Sequence, residues 1–194
     1  MRLAVFCFAT VSTVLAPLSL AQGPVFKVSP ANSSIKFYVK ASVALTGNFQ
    51  KWTATLTSPS TDVTVAVLDV KIQAASVNTG SGMKNSTLKS KDFFDVQQNP
   101  LITFRSTKVV QTGPESFDVQ GDFTIRGVSK PETLVLTVLG NGTGSGEIKG
   151  TMAFDRKDYG MDSGIPFIKI ADRVEVSLDL KVKRVSGPAL VFKQ

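Results

Sequence analysis

The stretch Arg173 to Lys183, RVEVSLDLKVK, alternates the apolar side chains Val174, Val176, Leu178, Leu180 and Val182 with the polar ones Arg173, Glu175, Ser177, Asp179, Lys181 and Lys183. Successive side chains on a strand point to opposite faces, so this spacing predicts a strand with one buried and one wet face. The same period recurs in Ile35, Phe37 and Val39, in Leu68, Val70, Ile72 and Ala74, and in Phe117, Val119, Phe123 and Ile125. Parallel strands buried on both faces would read as unbroken apolar runs, so the sheet is expected to be antiparallel.

Turn signals separate these runs at Thr112-Gly113-Pro114-Glu115, at Arg126 to Pro131 and at Asn141 to Gly146. Strands are therefore expected near residues 33–40, 48–57, 62–77, 101–110, 116–125, 132–140, 147–155 and 173–185. About eight antiparallel strands without a long helix close readily into a barrel, which removes exposed edges. The expected fold is all-β: an eight-stranded antiparallel, lipocalin-like β-barrel with a short helical excursion near residues 81–100. Phe93 and Phe94 in that excursion are costly to leave wet and are expected to plug one end of the barrel. A second excursion, Asp158 to Asp172, is expected to do the same from another side.

The chain opens with Arg2, an apolar run from Leu3 to Leu15, then Pro17 and Ser19-Leu20-Ala21. This is the layout of a secretory signal peptide, expected at residues 1–21, with a single domain at residues 22–194 and a periplasmic or secreted location. A membrane anchor fits less well, because the run is short and is interrupted by Thr10, Ser12, Thr13 and Pro17. The one cysteine, Cys7, leaves with the leader, so no disulfide is expected.

Histidine is absent, which removes the usual general base and the commonest transition-metal ligand. Without mature cysteine either, catalytic triads, Cys-His pairs and nitrogen or sulfur metal sites are excluded. The carboxylates Asp155 and Asp158 flank Arg156 and Lys157, which points to ion pairing rather than glycoside hydrolysis. The lysines lie on polar strand faces or in loops, a poor setting for a Schiff base, and Asp92 with Asp95 lacks the ligand density of a calcium loop. A non-enzymatic protein is expected, with no catalytic residue, metal or cofactor. The chain carries 22 basic and 15 acidic side chains, but scattered ones without interleaved aromatics, which argues against nucleic acid. Weak contact with an anionic surface, and a homodimer, stay open.

Several segments resemble the YceI-like proteins, a family of small exported β-barrels that bind polyisoprenoid or other long lipid chains. They begin with Val28-Ser29-Pro30, Ser33 to Val39, Gly47-Asn48-Phe49, Trp52 to Leu56 and Ala74 to Gly80. The most specific is Leu88-Lys89-Ser90-Lys91-Asp92-Phe93-Phe94-Asp95-Val96, followed by Pro100 and Ile102 to Ser106. Gly121 to Val128 with Lys130-Pro131, and Asp155 to Met161, complete the series. Lys84-Asn85-Ser86-Thr87 departs from the family, which often carries Arg-Asp-x-His there, and Asn99 stands where an aromatic is common.

The resemblance implies a long-chain apolar ligand, isoprenoid, quinone-like or fatty, carried or sequestered in the barrel. An eight-stranded barrel can equally be filled by its own side chains, which would make the protein an interaction or stress-response module acting through its loops. Short inward residues, Ala54, Val70, Ala74, Val119, Gly121, Val174 and Val176, favour a cavity. The candidate ligand-binding residues are the aromatics Phe37, Phe49, Trp52, Phe93, Phe94, Phe104, Phe123, Phe154 and Tyr159, with Arg126, Lys130, Arg156 or Lys157 placed to meet a polar head.

Overall fold

The computed structural model describes residues 23–42, 44–140, 144–164 and 170–192; the leader expected at residues 1–21 lies outside them. Eleven strands form one sheet: β1 (Val25–Val28), β2 (Ser34–Ala41), β3 (Leu45–Phe49), β4 (Trp52–Thr57), β5 (Val67–Gln73), β6 (Val77–Asn78), β7 (Leu101–Gln111), β8 (Ser116–Ile125), β9 (Val128–Leu139), β10 (Ser145–Asp155) and β11 (Ile170–Ser186). Three of the breaks are interruptions within single passes along the wall. The turn Pro30–Asn32 divides β1 from β2, Gln50-Lys51 divides β3 from β4, and Ala74–Ser76 divides β5 from β6. Eight passes result, each antiparallel to its neighbours, and β11 closes the ring by pairing with β2 along its first part and with β1 along its last. Closure pairs the first and last passes and so removes the long edges of an open sheet, the physical reason for expecting a barrel from the alternation alone.

β1 is an addition to the expected set, because VFKV is too short to show a period. The interruptions form a hydrogen-bonded corner: Gln50 N donates to Ser76 O at 3.1 Å, Lys51 N to Ser76 Oγ at 3.0 Å and Gln73 N to Lys51 O at 2.9 Å. Backbone groups freed by a bend must find other partners, and here the bends satisfy one another.

The turn expected over Arg126 to Pro131 is shorter than the residues suggest. Arg126 and Gly127 alone make it, with φ of 54° and 74°, the left-handed pair of a tight two-residue hairpin. Pro131 lies inside β9, opposite Asp122. It is tolerated because β9 pairs with β10 only from Val135 onward, so the missing N–H faces no neighbouring strand.

The excursion contains helix α1 (Gly82–Lys89), capped by the Ser81 side chain. Asn85 ties it to the wall, its Oδ1 accepting from Thr79 N and Thr79 Oγ1, both at 2.8 Å. Phe93 and Phe94 follow and are buried, Phe94 N donating to Leu88 O at 2.9 Å. Of the second excursion, residues 165–169 lie outside the described ones; Met161 is buried.

The barrel end away from α1 is largely filled, keeping a pocket of only about 60 Å³. Phe117, Leu134 and Leu180 are almost fully buried there, and Phe117 meets Phe192 edge-on at 5.8 Å. One of the short residues expected to leave room, Gly121, proves to be matched by a large neighbour. A Cβ on Gly121 would stand 2.7 Å from Phe104 Cζ and 2.6 Å from the Arg105 carbonyl oxygen, so the Phe104 ring occupies that space.

Candidate functional site

At the α1 end the interior is hollow, with a cavity of about 360 Å³. β2 supplies Ile35, Phe37, Val39 and Ala41 to its wall, β11 supplies Ile170, Val174 and Val176, and β3 supplies Leu45 and Phe49. Ile72 comes from β5, Ile102 from β7, Phe123 and Ile125 from β8 and Phe154 from β10, with Met83, Lys84, Thr87, Leu88, Phe93 and Phe94 from the α1 excursion. Val176 lies between the buried Val174 and Leu178 on the same face yet stays half-buried, because nothing in the interior covers it.

Six of the nine candidate aromatics meet on this wall: Phe37, Phe49, Phe93, Phe94, Phe123 and Phe154. Phe49 links two of them, its ring centroid 5.7 Å from Phe37 and 5.9 Å from Phe94; across the cavity Phe123 and Phe154 stand 5.0 Å apart. These tilted packings hold the rings in fixed positions. The structure does not place Trp52, Phe104 or Tyr159 on the wall. Trp52 is buried in the surrounding core opposite Ile72, and Ile72 is the side chain that reaches the cavity. Phe104 is drawn down over Gly121. Tyr159 packs edge-on against Phe123 at 5.4 Å and Phe154 at 5.2 Å, supporting both rings, and donates its hydroxyl to Glu132 at 2.8 Å. Burial first, then that hydrogen bond, pushes its ionisation above the ordinary value, so the hydroxyl keeps its proton.

The four basic residues expected at the mouth are committed elsewhere. The turn Arg156–Tyr159 lies across the seam that β9 leaves open beside β10, and charged groups fasten it there. Lys130 pairs with Asp158 at 3.0 Å, and Arg126 donates to the Gly160 carbonyl. Arg156 reaches the wall but is buried and saturated. It donates to the carbonyls of Met161, Ser163 (2.9 Å) and Ala171 (3.3 Å) and to Asp172 at 3.1 Å. Lys157 takes the other Asp172 oxygen at 2.8 Å.

The hydrogen bond from Lys157, with the charges of Lys157 and Arg156, holds the Asp172 carboxyl below its ordinary value of 3.8. A depressed carboxyl contributes stability above its unfolded value and loses that contribution as the pH falls through the folded one. The thermal midpoint of the native protein is therefore expected to drop more steeply below about pH 4 than that of Asp172→Asn. Parallel pH profiles for the two would show that this pair is not coupled to folding.

Beyond the aromatics the wall holds further residues. Ile35, Val39, Val174 and Val176 carry a readable signal, the inward phase of β2 and β11. Met83, Lys84 and Thr87 carry none, since a short helix of mean polarity shows no face. Among the described residues no Asp or Glu lines the cavity, no group of three or more His, Cys, Asp or Glu is placed to hold a metal ion, and no helix is long and apolar enough to cross a membrane.

This architecture has relatives among known proteins. BcnA of Burkholderia cenocepacia has a similar structure, with a TM-score of 0.72 and 26% identity, covering 79% of this chain and 98% of its own. The YceI protein of Campylobacter jejuni is similar over 72% of this chain and 84% of its own, with a TM-score of 0.60 and 26% identity. A domain of Saccharophagus degradans described as polyisoprenoid-binding shares the fold, with a TM-score of 0.66 and 16% identity over 82% of this chain and 98% of that domain. In sequence, a UPF0312 protein of Pseudomonas savastanoi pv. phaseolicola is 30% identical over 131 residues, 65% of this chain and 68% of its own length. The defining pattern of the YceI-like domain matches residues 26–182, and the chain belongs to that family.

Proposed function

We propose that the protein is an exported carrier or sequestering protein that holds the apolar chain of a lipid, isoprenoid, quinone-like or fatty, in the cavity beneath α1, without catalysis. The observation that carries this reading is the hollow itself: one half of the barrel, around Phe117, Leu134 and Leu180, keeps only about 60 Å³, while the other keeps about 360 Å³ behind an apolar wall. That volume lies within the range of small-ligand sites. Each methylene taken from water into such a wall contributes about 0.8 kcal/mol, so eight enclosed carbons supply about 6 kcal/mol without any polar contact.

The polar groups on the wall support binding over chemistry. Arg156 is fully engaged, and the Thr87 hydroxyl donates to the Met83 carbonyl at 3.1 Å. Among the described residues no carboxylate stands on the wall to take a proton from a substrate, and the chain has no histidine. The alternative of a filled barrel acting only through its loops loses its premise at the α1 end.

Native mass spectrometry of the full chain after gentle purification, followed by organic extraction, tests the reading. A stoichiometric lipid adduct that is released by solvent is the expected result. A chain that carries none and takes up none from added lipid refutes it.

A further inference from the structure

The cavity has a packed floor and, among the described residues on its wall, one cation outside any ion pair, and together these limit what can occupy it. Ile35 and Ala41 both line it, so it runs six residues along β2, about 20 Å at 3.3 Å per residue. A strand tilt of about 40° makes that about 15 Å along the barrel axis. Below lie Leu178, Leu180, Phe117 and Leu134, packed and buried, so a chain entering at α1 cannot thread through. An extended hydrocarbon advances about 1.25 Å per carbon, from a bond near 1.5 Å and an angle near 111°. About twelve carbons reach the floor, and a chain several times longer leaves most of its length outside.

The rim decides the head group. Two cations stand on the wall, Arg156 and Lys84. Arg156 is saturated by three carbonyls and Asp172. Lys84, on the first turns of α1, makes no ion pair among the described residues, and no carboxylate shares the wall with it. Beside it Met83 is 82% exposed, which marks this edge of the cavity as the one that meets solvent. A cationic head would find no partner here and would meet an ammonium. A neutral head would gain little from one. An anionic head would receive a charge-assisted hydrogen bond from Lys84.

We infer that the occupant is a single-chain amphiphile with an anionic head, carboxylate or phosphate, held at Lys84 and with a buried chain of about twelve carbons. This rests on the cavity being the binding site.

The test is calorimetric titration of the full chain with dodecanoate, dodecyl phosphate, dodecanol and dodecyltrimethylammonium, and with carboxylates of eight to twenty carbons. The two anions are expected to bind about tenfold tighter than the alcohol, and the tighter of the two identifies the head group. Lys84→Glu is expected to remove that preference, weakening the two anions at least about tenfold more than dodecanol. Lys84 is exposed, so the variant should fold, and an unchanged thermal midpoint checks this. Affinity should rise about fourfold per added methylene and level off beyond about twelve carbons. Equal binding of alcohol and anion, an anion preference that survives Lys84→Glu, or gains that continue to twenty carbons overturns this inference and leaves the cavity reading standing. Failure of all four probes to bind overturns the cavity reading and this inference with it.

Discussion

Val39→Trp is expected to weaken binding of a twelve-carbon alcohol or carboxylate by about two hundredfold while leaving the thermal midpoint unchanged or raised. Val39 stands on β2 between Val174 on β11 and Leu45 on β3, and all three line the cavity. An indole at that position extends into the hollow, since the neighbouring strands are already at ladder distance. Enlarging a residue in a packed core usually costs about 1 to 3 kcal/mol, because neighbours must leave their rotamers. Here the added ring meets space, gains contact with Phe37 or Phe154, and displaces ligand instead. Loss of about four methylenes of buried chain corresponds to about 3 kcal/mol, or about two hundredfold in affinity. Native affinity in a folded Val39→Trp protein would place the binding site elsewhere. Strong destabilisation would mean that the hollow is smaller in solution than in this structure.

Arg156→Met should lower the free energy of unfolding by about 3 kcal/mol and loosen the cavity wall on the Met161 side. Arg156 is 7% exposed, and its guanidinium is the shared donor for the carbonyls of Met161, Ser163 and Ala171. Methionine keeps much of the apolar stem but has no donor. Three acceptors lose their partner, at about 1 kcal/mol each where water cannot reach them. Asp172 remains paired with Lys157 at 2.8 Å, so the loss is of backbone anchoring rather than of a stranded carboxylate. Chemical denaturation gives the size of the effect. Amide exchange should show faster opening at Met161 and Ser163 than at Leu134 or Leu180. Uniform exchange across all four would mean that Arg156 is only one more core contact.

Much of the barrel is legible from alternation because a strand's buried face is a local property. The expected strands at 101–110 and 116–125 coincide with β7 and β8 almost to the residue, since both are long, regular and bounded by clear turns. Expectation fails where the chain bends within one pass. The region read as one strand over 62–77 is β5 with a turn at each end, and the one over 48–57 breaks at Gln50-Lys51. Those bends depend on hydrogen bonds between segments about 25 residues apart, as between Lys51 and Ser76, which no local window contains. Arg126, Lys130 and Lys157 likewise read as groups placed to meet a polar head, because their partners Gly160, Asp158 and Asp172 become neighbours only when the turn after β10 lies against β9.

By itself the sequence determined an antiparallel wall, its inward residues, the excursion carrying Phe93 and Phe94, and the lack of imidazole chemistry, since each follows from residue type and spacing along one strand. Tertiary structure alone decided which end of the barrel is hollow, which aromatics reach the hollow, and that of the two described cations on its wall Arg156 is saturated while Lys84 makes no ion pair. Periodicity reports the direction in which a side chain points. The space left between opposing faces depends on residues distant in sequence, as Gly121 beneath Phe104 and Val176 facing an open interior illustrate.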